Sequence, residues 1–186
     1  MTAHKLDQLN TGTAGGTGTS PVPPAAPQPG RYEIDTTCSV VTFRTRHMFG
    51  LAPVNGSFAI RAGTVEVAGP LTDPGIYAEI EAASFRTGNG QRDSVVRSAR
   101  LLDAGQYPVM TFRSGPMDGL ALTGTLTVRD VTRPVSLSIE HSAVSSGSFT
   151  ARAATRIDRA AFGVTAYRGL AGRYLDMTVE VRCVHK

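Results

Sequence analysis

The chain reads as an all-β fold, an extended antiparallel barrel of about eight strands with one short helix. Three observations lead there. From Arg31 onward, segment after segment alternates apolar and polar residues with the period of two that a half-buried strand requires. A helix-like pattern appears in one stretch, Ser84 to Phe112. Strands this numerous and this one-sided bury their apolar faces best by closing into a barrel, which also removes exposed edges. A β-sandwich is the alternative that periodicity leaves open.

Residues 1–30 stand apart from the fold. Thr11 to Gly30 holds five Gly, five Pro and four Thr and almost no large apolar side chain, so burial cannot offset its ordering entropy. We therefore expect a flexible tail over 1–30 and one domain over 31–186.

Within that domain, Val41, Phe43, Thr45 and His47 share one strand face, opposite Thr42, Arg44 and Arg46. Val54, Phe58 and Ile60 repeat at even spacing, with Gly56 as a bulge or a close approach. Ala78, Ile80 and Ala82 alternate with Glu79 and Glu81. Leu120, Leu122, Leu126 and Val128 are interrupted by Gly124, then followed by a turn around Asp130 to Pro134 and by Val135, Leu137 and Ile139. This pair is the clearest hairpin. Phe149, Ala151, Ala153 and Ile157, then Leu175, Met177, Val179 and Val181, complete the strands.

The helix lies between two of them. Thr87-Gly88-Asn89-Gly90 is a turn cluster, Asp93 or Ser94 is a suitable cap, and Val95, Ala99 and Leu102 form an apolar stripe that ends at Gly105. Set into strands, this unit suggests a lid or plug.

Composition excludes several classes. Apolar residues make up 41% and charged residues 18% of 186, ordinary values for a globular domain. No run approaches the ~20 apolar residues of a membrane helix. The N-terminus has no apolar stretch of the signal-peptide kind, so a cytoplasmic protein is expected. The net charge of +4 rests on 17 Arg against 2 Lys. Genomic base composition accounts for such a bias, and the sharper reading is that some of these guanidinium groups form an anion site. No basic block or RNA-binding aromatic motif points to nucleic acid.

Candidate chemistry is sparse. His4, His47, His141 and His185 have no metal-ligand spacing, and no nucleophile elbow or phosphate loop is present. Asp93, Asp103 and Asp158 are conceivable acids or bases, but each has a cap or turn role available. Neither enzymatic activity nor a bound cofactor or metal is expected. His47, on the inward face, is either a buried histidine bonded to backbone or a polar contact to a ligand. Arg92 and Asp93 form either a local ion pair with a cap or, through Arg92 near a helix N-terminus, a hold on an anionic head group. Phe43, Phe58, Phe85, Phe112, Phe149 and Phe162 are core or cavity lining. The small residues among them (Ala78, Ala82, Gly124, Ala151, Ala153) leave volume for a tunnel. Cys38 and Cys183 alternate out of phase, since Cys183 shares a face with Val179 and Val181 while Cys38 does not share that of Val41 and Phe43. A disulfide is not expected.

These residues, in order, resemble the YceI-like, polyisoprenoid-binding lipocalin-like family over residues 31–184. The matching text is Tyr32-Glu33-Ile34-Asp35, Ser39, Phe43-Arg44-Thr45-Arg46-His47 and Gly56-Ser57-Phe58. Thr87-Gly88-Asn89 with Arg92-Asp93, Tyr107-Pro108, Thr111-Phe112-Arg113-Ser114 and Leu122 to Val128 follow. Val131-Thr132-Arg133-Pro134-Val135, and Arg159 with Phe162-Gly163, complete it. The resemblance implies a lipocalin-like barrel around a long apolar tunnel, holding an isoprenoid lipid such as a polyprenyl phosphate or isoprenoid quinone. It also implies a homodimer and transient contact with a membrane or membrane protein. On this reading Phe43, Phe58, Ile80, Phe85, Phe112 and Leu126 line the tunnel, and His47, Asn89 and Arg92 are polar contacts to the ligand.

Overall fold

The protein is described by a computed structural model covering residues 27–47, 50–69 and 74–186, with the backbone alone for His47. Residues 1–26 of the expected tail lie outside the described residues. The strands are β1 (Gly30–Ile34), β2 (Val40–His47), β3 (Ala52–Val67), β4 (Gly75–Glu81), β5 (Val109–Asp118), β6 (Ala121–Val128), β7 (Val131–Ser145), β8 (Ser148–Asp158) and β9 (Tyr174–His185). Among the described residues, one α-helix, α1 (Gly90–Arg97), interrupts them.

Nine strands make an eight-position ring. They form one antiparallel sheet in the order β1-β3-β2-β9-β8-β7-β6-β5-β4, closed by β3–β4. Both β1 and β2 pair with β3 on one side and β9 on the other, β1 through Val65 and Cys183 and β2 through Phe58 and Val179, among others. They run the same way, end to end, and fill one position between them. The break at 35–39 is sutured by polar bonds: Asp35 N donates to Arg182 O (2.8 Å), and Arg182 N donates to Ser39 Oγ (3.0 Å). The expected eight-stranded antiparallel barrel is the observed fold, with one strand broken in two.

Inward and outward faces follow the pleat. Two glycines mark places where the inner wall has no room for a side chain. A Cβ at Gly56 would stand 2.6 Å from Arg86 O and collide with the Phe43 ring. One at Gly124 would stand 2.6 Å from Cε2 of Phe112. Of the two readings for Gly56, a close approach is therefore the observed one, and Gly124 continues its strand, opposite Ser114 and Val135.

The hairpin turn is shorter than its sequence suggests. Val128 already pairs with Val131, leaving Arg129 and Asp130 as the turn, with Arg129 at φ +58°. Pro134, placed at the end of the expected turn, instead lies in β7 opposite Thr125. The pairing of β7 with β8 begins only at Ser138, so no partner strand on that side asks Pro134 for a donor.

The connections divide the barrel into two unlike ends. At the base, β5–β6 and β7–β8 are joined by tight turns with Gly119 and Gly147 at positive φ. The two long connections, 82–108 between β4 and β5 and 159–173 between β8 and β9, both fold over the opposite end, the mouth. They touch each other there through an Arg100 Nη1 to Tyr167 OH bond of 3.2 Å.

Helix α1 differs from the sequence expectation in cap, stripe and length. Its N-cap is Asn89, whose Oδ1 accepts from Arg92 N at 3.0 Å. Helical structure stops at Arg97, because the following residues turn back on Ser98, which accepts from both Leu101 N and Asp103 N. Val95 and Ala99 are exposed, and the apolar anchors are Leu101, Leu102 and Ala104 beyond the helix. Asp93 is neither cap nor partner of Arg92. It is 3% exposed and receives Thr87 N at 3.1 Å and Thr87 Oγ1 at 2.5 Å, with Arg97 Nη2 4.0 Å away. Removing the carboxylate would leave the half-buried N–H and hydroxyl of Thr87 without their acceptor and take a counter-charge from the partly exposed Arg97. We predict that Asp93→Ala lowers unfolding free energy by about 3 kcal/mol, measured by urea denaturation, and that Asp93→Asn loses less.

Candidate functional site

The ring encloses a cavity of about 800 Å³, within the roughly 300–1,000 Å³ usual for small-molecule sites. Its walls are apolar along their length. On β8 and β9 the lining runs from the Phe149–Cys183 pair near the base to the Ile157–Leu175 pair near the mouth. That is eight residues along a strand, roughly 26 Å at the usual rise. The inner side chains accordingly fall into two clusters facing across the space. The smaller one, Phe112, Leu122, Leu137 and Ala153, meets the larger through partly buried Ile76, Ala78, Val135 and Val179.

The base is stoppered by Tyr32. Its ring is edge-on to Phe149 and His185, each 5.0 Å away between centroids, and its hydroxyl donates to Gln28 O at 2.9 Å. At the mouth, Phe43, Phe58 and Phe85 pack as a trio with centroids 5.3–5.7 Å apart.

Of the residues singled out in the sequence, Phe43, Phe58, Ile80, Phe85, Phe112, Leu126, Asn89 and Arg92 all border this cavity. His47 ends β2 opposite Ala52, and its side chain lies outside the described residues. Asn89 and Arg92 have local duties as well. Asn89 caps α1, and Arg92 Nε donates to Thr87 Oγ1 at 2.8 Å, the hydroxyl that in turn donates to Asp93. The expected Arg92–Asp93 ion pair is thus replaced by a relay through Thr87.

Polar lining outside the expected set comes from Thr45, Gln91, Thr155, Arg159 and Tyr167. Arg159 gives three bonds to the connection it begins: Nε to Gly172 O (2.8 Å), Nη1 to Val164 O (2.6 Å) and Nη2 to Ala171 O (3.0 Å). Burial pushes its pKa down from the usual arginine value. Arg159 and Tyr167 lie in a 3-10 turn and an irregular segment, where no periodicity marks them, although Arg159 does belong to the text that carried the family resemblance.

The remaining acid candidates have structural occupations. Asp158 accepts from Ala160 N at 3.0 Å and pairs with Arg173 at 2.7 Å, whose hydrogen bonds hold its carboxyl below the usual carboxylate range. Asp103 sits at φ +49° in the turn after α1. Among the described residues, no three His, Cys, Asp or Glu side chains gather as a metal site needs. No helix among them is long and apolar enough to cross a membrane.

A closed antiparallel wall, a stoppered base, an apolar interior and polar groups at one rim define a lipocalin-like barrel. The YceI-like domain family matches residues 32–184, and the chain belongs to that family. The UPF0312 protein of Vibrio parahaemolyticus is 25% identical over 176 residues, covering 88% of this chain and 92% of that one. Protein YceI of Escherichia coli O157:H7 is 34% identical over 114 residues, 57% of this chain, so the match spans only 59% of that protein. Among solved structures, a polyisoprenoid binding domain from Saccharophagus degradans superposes with a TM-score of 0.67 at 17% identity, covering 83% of this chain and 98% of that one. Burkholderia cenocepacia BcnA does so with 0.65 at 22% identity, covering 80% and 98%. At these identities the two structures establish the fold alone.

Both cysteines are free, Cys38 exposed in the link between β1 and β2 and Cys183 wholly buried in the cavity wall. Burial pushes the Cys183 thiol up to about 12. Its pKa in the unfolded chain is near 8.5, so folding keeps the proton on. The resulting stabilisation is complete below that value and is lost as pH rises toward 12. We predict that thermal melting of the wild type falls more steeply than that of Cys183→Ala between pH 8 and pH 10.5. In the native protein, alkylation at pH 8 should modify Cys38 and spare Cys183.

Proposed function

We propose that the protein is a non-catalytic carrier that holds one isoprenoid lipid in the barrel, tail toward Tyr32 and head at the rim formed by Asn89, Arg92, Arg159 and Tyr167. The supporting observation is the cavity itself: long, apolar throughout its depth, and polar at one end. An isoprenoid tail is the complement of that shape, and its burial is worth ~0.8 kcal/mol per methylene-sized group before the costs of binding. The description of the Saccharophagus degradans domain as polyisoprenoid binding supports the same ligand class. The head group is a phosphate or a quinone, since arginine and amide donors serve either. Phe43, Phe58, Ile80, Phe85, Phe112 and Leu126 are the tail contacts in this reading.

Native mass spectrometry of the purified protein, followed by solvent extraction and mass analysis, tests it. The expected result is a co-purifying series spaced by one isoprene unit. An apo mass that stays unchanged after incubation with polyprenyl phosphates and isoprenoid quinones would overturn the carrier reading. Phe112→Asp places a charge against the tail at mid-barrel, and the prediction is loss of the bound species from a protein whose far-ultraviolet circular dichroism is unchanged. A folded Phe112→Asp that keeps its lipid removes Phe112 from the tail contacts.

A further inference from the structure

Beside the mouth, on the outer wall of β2, β9 and β8, lies a second depression that shares Thr45, Arg159, Ala171 and Gly172 with the cavity. It is lined by Arg44, Arg46, Arg156, Arg159, Arg168 and Arg173. Two carboxylates offset part of this charge, with Arg156–Asp176 at 3.7 Å and Arg173–Asp158 at 2.7 Å. Arg44, Arg46 and Arg168 have no acidic partner among the described residues. At the base, Arg31 and Lys186 are paired with Glu66 and Glu33, and Arg182, opposite Thr150, has no acidic partner within ion-pair distance among the described residues; the mouth differs in gathering three such arginines in one depression.

Among the described residues, Leu120 and Val184 are the large apolar side chains exposed at the base, whereas Leu51, Leu170 and Tyr174 stand together beside this depression. Leu51, in the β2–β3 turn, is 83% exposed; Leu170, in the β8–β9 connection, is 52% exposed; Tyr174, at the start of β9, is 44% exposed. Water gives no reason for such residues to stand among unpaired arginines. An anionic bilayer gives a reason for both: guanidinium groups are drawn to its phosphates, and leucine and tyrosine enter the headgroup–acyl boundary. A free phosphate or a nucleic acid would use the arginines and leave Leu51 without a role.

We propose that the arginine basin and the Leu51–Leu170–Tyr174 rim dock the barrel, mouth first, on an anionic phospholipid bilayer. Docking in this orientation brings the opening of the cavity to the acyl layer. The attraction acts over about a Debye length, ~8 Å at physiological salt, so the basin must lie close to the surface for docking to hold. Leu170 also borders the cavity, but Arg44, Arg46, Arg168 and Leu51 do not line it, so the inference stands on them whether or not the occupant is an isoprenoid.

The test is co-sedimentation of the full chain with vesicles of phosphatidylcholine, or of an equimolar mixture with phosphatidylglycerol. Expected are roughly tenfold tighter binding to the anionic vesicles and release at high salt. The triple variant Arg44→Ser, Arg46→Ser, Arg168→Ser should lose that preference, the corresponding triple lysine variant should keep it, and Leu51→Asp should weaken binding alone. Equal binding to both vesicle types overturns the proposal. So does wild-type binding by both the serine triple and Leu51→Asp, or binding to duplex DNA that matches the vesicles and ignores Leu51→Asp. Native mass of each sample after incubation with polyprenyl phosphates and isoprenoid quinones separates the two readings, because docking by a protein that stays apo would sink the carrier function and leave docking intact, and a retained lipid without docking would do the reverse.

Discussion

The structure depends on one constraint: the sheet closes at a circumference its own side chains do not fill. Eight strand positions leave an interior just wide enough for packed side chains or one slender ligand. Here Ala78, Ala151 and Ala153 stand on the inner wall, and Gly56 and Gly124 yield their places to phenylalanine rings from neighbouring strands. An apolar occupant in a space of about 800 Å³ would restore dispersion contacts that the wall's own side chains leave unmade, which is why the cavity weighs more in the functional reading than any single polar residue.

Closure was legible in the sequence because its signal is periodic and repeated. The inward faces read from Val41 and Phe43, from Ala78 and Ile80, and from Leu175 through Val181 are the faces that line the cavity. Parity likewise separated Cys183, in the wall, from Cys38, in the link. The break between β1 and β2 was not legible. Asp35 to Ser39 reads as ordinary loop text, and that the two strands on either side of it share one ring position depends on β3 and β9 reaching past both.

Where period two gave way to tertiary packing, the sequence misled. The helical stripe ran to Leu102 on spacing alone, yet the chain leaves the helix at Arg97 to insert Leu101 and Leu102 into the barrel mouth. Asp93 looked like a cap because caps favour aspartate. Its buried position makes it the anchor of the Thr87 turn, and the cap falls to Asn89. Pro134 reads as part of the turn, yet it lies within β7, where its missing N–H matters less because β7 has no β8 partner there. Arg159 and Tyr167 sit in irregular segments, where side-chain bonds to backbone carbonyls, rather than repeating patterns, specify position.

The polar rim has a further consequence for selectivity under the proposed function. Asn89 Oδ1 is engaged by α1, Arg92 Nε by Thr87, and three donors of Arg159 by the carbonyls of Val164, Ala171 and Gly172. Groups already bonded in the protein gain less from a new partner than free ones would, because net hydrogen-bond energies are differences between partners. The rim therefore contributes orientation more than affinity. Affinity scales instead with how many apolar groups enter the tube, and the Tyr32 stopper sets a limit on that number. A site built this way discriminates by tail length and straightness first and by head group second, and a family of similar barrels could change ligand by moving the stopper while leaving the rim alone.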